Sequence, residues 1–148
     1  MFRILIVEDN PADAQMLQMA LERAGRPLQI VLREDGVKAV EYLTDGNPCK
    51  CDLVLLDLNL PRLSGFEVLE RIRSNEELQS LPVVVMSGSA DAGDVNRCYR
   101  AGANSYICKR THLVDILTVA AQIVTYWSQC VKLPSGSPAR SSAHGSIS

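Results

Sequence analysis

The chain has 148 residues, 47% hydrophobic and 22% charged, which suits one soluble domain with a real core and leaves no room for two. Its formal net charge is -2 and no run of Lys and Arg occurs, which speaks against nucleic acid as a partner. No segment approaches the roughly 18 uninterrupted apolar residues of a membrane span, and Glu8 and Asp9 cut the N-terminal apolar stretch too short for a secretion signal; a cytoplasmic protein is expected.

The first predicted strand is Ile4–Val7. A helix follows over Pro11–Ala24, with Asn10 as N-cap, Pro at the first helical position and Gly25 as the stop. The next strand is Ile30–Leu32, followed by a helix over Val37–Leu43. Leu53–Leu56 is the third strand and Phe66–Arg73 the third helix. Val83–Met86 and a helix within Asp91–Ala101, ended by Gly102, form the fourth pair. A weaker strand at Tyr106–Cys108 and the longest helix, Thr111–Val131, form the fifth.

Three of the apolar runs are continuous, which suits parallel strands covered on both faces. Five strand-then-helix repeats predict an α/β sandwich with right-handed crossovers, of flavodoxin-like (βα)5 type with sheet order 2-1-3-4-5. Residues 1–132 are expected to form this domain. Residues 133–148, LPSGSPARSSAHGSIS, are rich in Ser, Gly and Pro and are expected to be a disordered tail. No DNA-binding or catalytic effector domain is expected. The five cysteines, Cys49, Cys51, Cys98, Cys108 and Cys130, are odd in number and irregular in spacing. They read as reduced thiols, with a metal site at Cys49-x-Cys51 as the alternative.

Ligands of open parallel sheets bind at the carboxyl ends of the strands. Those ends carry Glu8-Asp9, Asp57, Ser87-Gly88 and Lys109, whereas Glu34-Asp35 lies beyond the pocket. Two unit charges about 4 Å apart repel by roughly 4 kcal/mol at an effective dielectric of about 20. Three clustered acids therefore require a proton, Lys109 or a divalent cation. Carboxylates with a carbonyl and waters describe a Mg²⁺ site completed by phosphate oxygens. Asp57, the acid that stands alone in its loop, suits a nucleophile forming an acyl phosphate. Lys109, the Ser87 hydroxyl and the Gly88 amide would take up the phosphoryl oxygens.

The segments ILIVEDN, LVLLDLNLPRLSG, PVVVMSGS and ANSYICK together resemble the receiver domain of two-component response regulators, over roughly residues 3–131. The resemblance implies a phosphorelay protein that takes a phosphoryl group from a sensor histidine kinase onto Asp57. It would catalyse its own phosphorylation and dephosphorylation and act on no external small molecule. It further implies that Glu8 and Asp9 handle Mg²⁺, that Asn59 supplies a main-chain carbonyl to the metal, and that Ser87 and Lys109 are the family's hydroxyl and lysine. Tyr106 takes the aromatic switch position, and Pro61 and Gly65 match the loop after the acceptor.

One departure stands out: Lys109 is followed by Arg110 where receivers usually have Pro, often after a cis bond. A cis bond before a non-proline residue costs about 2.5–4 kcal/mol. A trans bond, or a strained cis bond, and a shifted loop are expected.

The last helix carries a polar stripe of Asp115, Thr118, Gln122, Thr125 and Gln129. Leu113, Ile116, Leu117, Ala120, Val124 and Trp127 can face the sheet. Val119, Ile123, Tyr126 and Cys130 then form a second apolar row, wider than a surface helix needs. That row predicts a homodimer through helix 4, strand 5 and helix 5. The LDLNLPR loop and Tyr126-Trp127 resemble small receivers paired with bacterial phytochrome kinases.

Two other readings compete. A receiver-like interaction module that takes no phosphate stays open because of Arg110. A flavodoxin-like or phosphatase-like enzyme is disfavoured, because Glu8-Asp9-Asn10 has the wrong charge for flavin phosphate and Asn59 stands where dehalogenase-type phosphatases place a second Asp.

Overall fold

The computed structural model describes residues 1–46, 50–109 and 113–134. Among the described residues, five strands and five α-helices alternate: β1 Phe2–Val7, α1 Pro11–Glu22, β2 Leu28–Arg33, α2 Gly36–Leu43, β3 Leu53–Leu56, α3 Gly65–Ser74, β4 Val83–Ser87, α4 Ala92–Arg100, β5 Ser105–Cys108 and α5 Leu113–Thr125. All strand pairs are parallel and the sheet order is β2-β1-β3-β4-β5. The expected flavodoxin-like (βα)5 arrangement is thus the observed one.

Burial explains the strand sequences. In β3 and β4 every residue is buried, whereas β2 and β5, at the sheet edges, are only partly covered. Alternate residues feed opposite faces. Ile4, Ile6, Leu55, Val84 and Met86 pack with Leu21, Ala120 and Val124 of α1 and α5. Leu5, Val7, Leu56 and Val85 pack with Ala39, Val68, Leu69 and Cys98 of α2, α3 and α4.

Local signals set the helix starts. The Asn10 side chain accepts hydrogen bonds from the Ala12 and Asp13 amides at 3.0 and 3.1 Å, with Pro11 in the first turn. Asp35 accepts from the Lys38 amide at 2.7 Å, which explains why this acid serves α2 rather than the pocket. Ser64 and Glu67 form a reciprocal capping box on α3.

Two expectations about the last helix need correction. It is not regular to Val131: after Thr125 the chain widens into a π-helical turn, Tyr126–Cys130, and residues 111 and 112 lie outside the described part. The outer apolar row also divides. Ile123 is 5% exposed and belongs to the core beside Ala120 and Val124. Val119 packs partly against the same core. Tyr126 is 56% exposed and Cys130 is exposed. The physical reason is that Ala120, Ile123, Val124 and Trp127 share one stripe at helical spacing that meets the core, and Tyr126 and Cys130 lie off that stripe.

The Lys109–Arg110 peptide bond lies outside the described residues, as does Cys49 of the Cys49-x-Cys51 pair. The expected tail lies outside from residue 135 onward, while Leu133 packs against the α1–α5 side of the core. Among the described residues, no helix is long and apolar enough to cross a membrane.

Candidate functional site

The hydrogen-bond ladders run one residue past the strands and so fix the strand-end side chains. The Glu8 amide donates to the Arg33 carbonyl, the Asp57 amide to Val7 and the Lys109 amide to Ser87, at 3.0, 3.0 and 2.7 Å. Glu8, Asp57, Ser87 and Lys109 are thereby placed along one edge of the sheet. Glu8, Asp57 and Ser87 are buried and Asp9 is exposed.

Carboxylate oxygens of Glu8, Asp9 and Asp57 lie within 4.8 Å of one another. The Lys109 ammonium bonds to Glu8 Oε1 and sits 3.6 Å from Asp57 Oδ2. Asp57 Oδ1 accepts from the Leu58 amide at 2.8 Å, so its two oxygens have different surroundings. Glu8 Oε2 accepts from the Asn10 amide at 3.2 Å.

The loop after Asp57 requires glycine at position 65. A Cβ there would stand 2.2 Å from the Asp57 carbonyl oxygen and 2.6 Å from Leu58 Cα. The Gly65 amide donates to the Leu58 carbonyl at 2.9 Å, which ties the start of α3 to the acceptor loop. Asn59 is exposed in that loop.

Burial pushes the Glu8 carboxyl above its ordinary value and Asp57 adds to this, against the opposing pull of Lys109. For Lys109, burial alone would lower the value. The Glu8 hydrogen bond and the charges of Asp57, Glu8 and Asp13 outweigh it and leave the ammonium more firmly protonated. Glu8 thus remains costly to ionise in spite of its lysine partner. Three hard oxygen donors with an exposed member at Asp9 suit a divalent cation that keeps some of its water.

Ser87 and Tyr106 meet at Ser89. The Ser89 amide donates to Ser87 Oγ at 3.2 Å and the Tyr106 hydroxyl donates to the Ser89 carbonyl at 2.7 Å. The Ser89 hydroxyl donates to Asp94 Oδ2 in α4 at 2.8 Å. Sequence reasoning placed Ser87 and Tyr106 but missed this junction, and it missed Asp13, 3.7 Å from the Lys109 ammonium. The available signal for Asp13 was its position one turn beyond Asp9, at the start of a helix leaving the pocket.

A parallel flavodoxin-like sandwich with an acidic cluster opposed by a lysine at its strand ends defines the class of protein. The family model for the response regulator receiver domain matches residues 4–121, and the chain belongs to that family. It is 35% identical over 135 residues to the response regulator Rcp1 of Synechocystis sp., covering 88% of this chain and 92% of that protein. It is 39% identical over 129 residues to the probable methanogenesis regulatory protein FilR2 of Methanothrix harundinacea, covering 85% and 83%. The crystal structure of the phosphorylated cyanobacterial phytochrome response regulator RcpA superposes with a TM-score of 0.84 at 38% identity, over 90% of this chain and 99% of that one. The Mn²⁺-bound form of Rcp1 gives 0.83 at 34% identity, over 91% and 100%.

Proposed function

We propose that the protein is a phosphorelay switch in which Asp57 accepts a phosphoryl group from a sensor histidine kinase in a Mg²⁺-dependent reaction. The observation that carries this reading is the convergence of the Asp57, Glu8 and Asp9 carboxylates with the Lys109 ammonium at one point. The Leu58 amide restrains Oδ1, which leaves Oδ2, on the Lys109 side, as the attacking oxygen. The phosphorus–oxygen bond forms as the bond to the donor's imidazole breaks. Lys109 then pairs with a phosphoryl oxygen, and the Ser87 hydroxyl and Gly88 amide donate to others. Gly88 leaves that approach open, since a Cβ there would meet nothing within 4 Å. Glu8, Asp9, Asp57 and the Asn59 carbonyl would hold the Mg²⁺, whose charge, when bound, offsets that of the acids and the phosphoryl group.

Recruitment of Ser87 by the phosphoryl group would release the Ser89 amide and, through Ser89, the Tyr106 hydroxyl. The signal would then pass to the face of α4, β5 and α5. A homodimer across that face, with Tyr126 and Cys130 outermost and Val119 at its margin, is the proposed assembly. The likeness to RcpA, a phytochrome response regulator, supports a phytochrome-type kinase as donor, and membership of the receiver family is consistent with the cytoplasm as the compartment.

Incubation with Mg²⁺ and acetyl phosphate, followed by intact mass, tests the acceptor. The wild-type chain should gain one phosphoryl group and Asp57→Asn none; equal gain by both would refute the assignment.

A further inference from the structure

Lys109 faces a third carboxylate that lies outside the strand-end pocket. Asp13, in the first turn of α1, places Oδ2 3.7 Å from the ammonium, against 3.6 Å for Asp57 Oδ2. The lysine therefore stands almost equally far from the acceptor and from an acid on a helix. Beside it, a largely apolar cavity of about 60 Å³ between α1 and α5 carries Met16, Leu17 and Ile116 on its wall, together with Lys109 and the acids Glu8, Asp13 and Asp115. That space lets the lysine stem tilt toward α1 without displacing a packed side chain.

An acid in the first turn of a helix is ordinary, because it complements the helix dipole. That account explains Asp13 as a residue type but not its proximity to Lys109. The Asp13 side chain is 50% exposed, and Lys109 is the more buried partner at 24%. Water weakens the pair without abolishing it.

We propose that Asp13 is a positioning residue that draws the Lys109 ammonium toward α1 and so restrains phosphoryl uptake on Asp57. This rests on the reading of Asp57 as the phosphoryl acceptor. A phosphoryl group arriving at Asp57 must win the ammonium from Asp13 as well as from Glu8. Asp13→Asn removes the competing charge and keeps the size and the helix start.

The test compares rates of uptake from acetyl phosphate with Mg²⁺, read by intact mass. It uses the full chain as wild type, Asp13→Asn, Lys109→Ala and the double variant. Asp13→Asn should speed uptake about two- to fivefold, the worth of a half-exposed ion pair. The gain should vanish in the Lys109→Ala background, and Asp13→Glu, which keeps the charge, should show none. An unchanged or slower Asp13→Asn overturns the proposal. So does an equal gain without Lys109, which would mean that Asp13 merely repels the anionic donor. A loss of α1 stability would lower the melting temperature but would not depend on Lys109. Failure of the wild type to gain a phosphoryl group would instead strike the acceptor reading, and is seen in the first arm.

Discussion

Lys109→Ala removes the ammonium that stands 3.6 Å from Asp57 Oδ2. Uptake from acetyl phosphate is expected to slow by about 10²- to 10³-fold, the usual result of losing one donor aimed at developing charge; an unchanged rate would mean that another group holds the phosphoryl oxygens. Glu8 gives a pH prediction. Its carboxyl is raised above 4.5 by burial and by Asp57, so the folded chain holds that proton more tightly than the unfolded chain. The stability it contributes is complete below the unfolded value and is lost as pH rises through the folded one. In EDTA, Glu8→Gln should therefore melt above the wild type at pH 7–8, with the difference closing toward about pH 4. Thermal melts across that range decide it, and a variant that melts lower at pH 8 would contradict the sign. Added Mg²⁺ should stabilise the wild type by about 2.7 kcal/mol at a hundredfold excess over Kd and so produce a rise in its melting temperature. Asp9→Asn should lose most of that rise. At this scale the sequence was highly legible, because strand ends announce themselves as an apolar run meeting a polar residue. The pairing of Asp13 with Lys109 was not, since nothing local in either segment specifies how far α1 leans over β5.

Among the elements, α3 shows how one side chain can tie several together. The Arg73 guanidinium donates from Nε to the Gly102 carbonyl, from Nη1 to those of Gln79 and Leu81, and from Nη2 to Asn104 Oδ1, at 2.9, 3.0, 2.7 and 3.0 Å. Asn104 in turn accepts from the Val83 amide at 2.8 Å. This fork joins the end of α3, the approach to β4 and the turn before β5. Lysine cannot reproduce it, because its ammonium is a single point of donation. Arg73→Lys should cost about 2 kcal/mol through carbonyls left without donors, measured by urea unfolding; a change within about 0.5 kcal/mol, typical of neutral surface substitutions, would show the fork to be dispensable. The bounds of β3, and the C-terminal end of β1 and the start of β4, were readable because strands buried on both faces leave continuous apolar runs, whereas β1 begins two residues earlier, through exposed Arg3, and β4 runs on to Ser87. The π turn at Tyr126–Cys130 was not, because a widened turn leaves the composition of a helix unchanged and alters only where its side chains point.

At the scale of the whole molecule, two predictions rest on one buried and one exposed side chain of the C-terminal helical segment. Ile123 points into the α1–α5 side of the core, so Ile123→Ala should destabilise the monomer by about 2–5 kcal/mol. Tyr126 is exposed, so Tyr126→Asp should leave stability nearly unchanged and weaken the proposed homodimer. Sedimentation at several concentrations, with and without phosphoryl donor, distinguishes the two. A wild type that stays monomeric throughout would remove the dimer from the proposal. Treating both residues as one apolar row was a consequence of periodicity, which reports that a side chain is apolar but not whether the sheet or the solvent meets it. By itself the sequence determined the strand–helix repeats of a parallel sandwich and the acids, hydroxyl and lysine at the strand ends, since buried strands and helix caps write themselves into local composition; the strand order followed from the fold class those repeats suit. Only the tertiary structure decided which charges share Lys109, how Ser89 joins Ser87 to Tyr106 and which flank of α5 is free. Those depend on distances between segments far apart in the chain, and such distances are set by packing the two faces of one sheet at once.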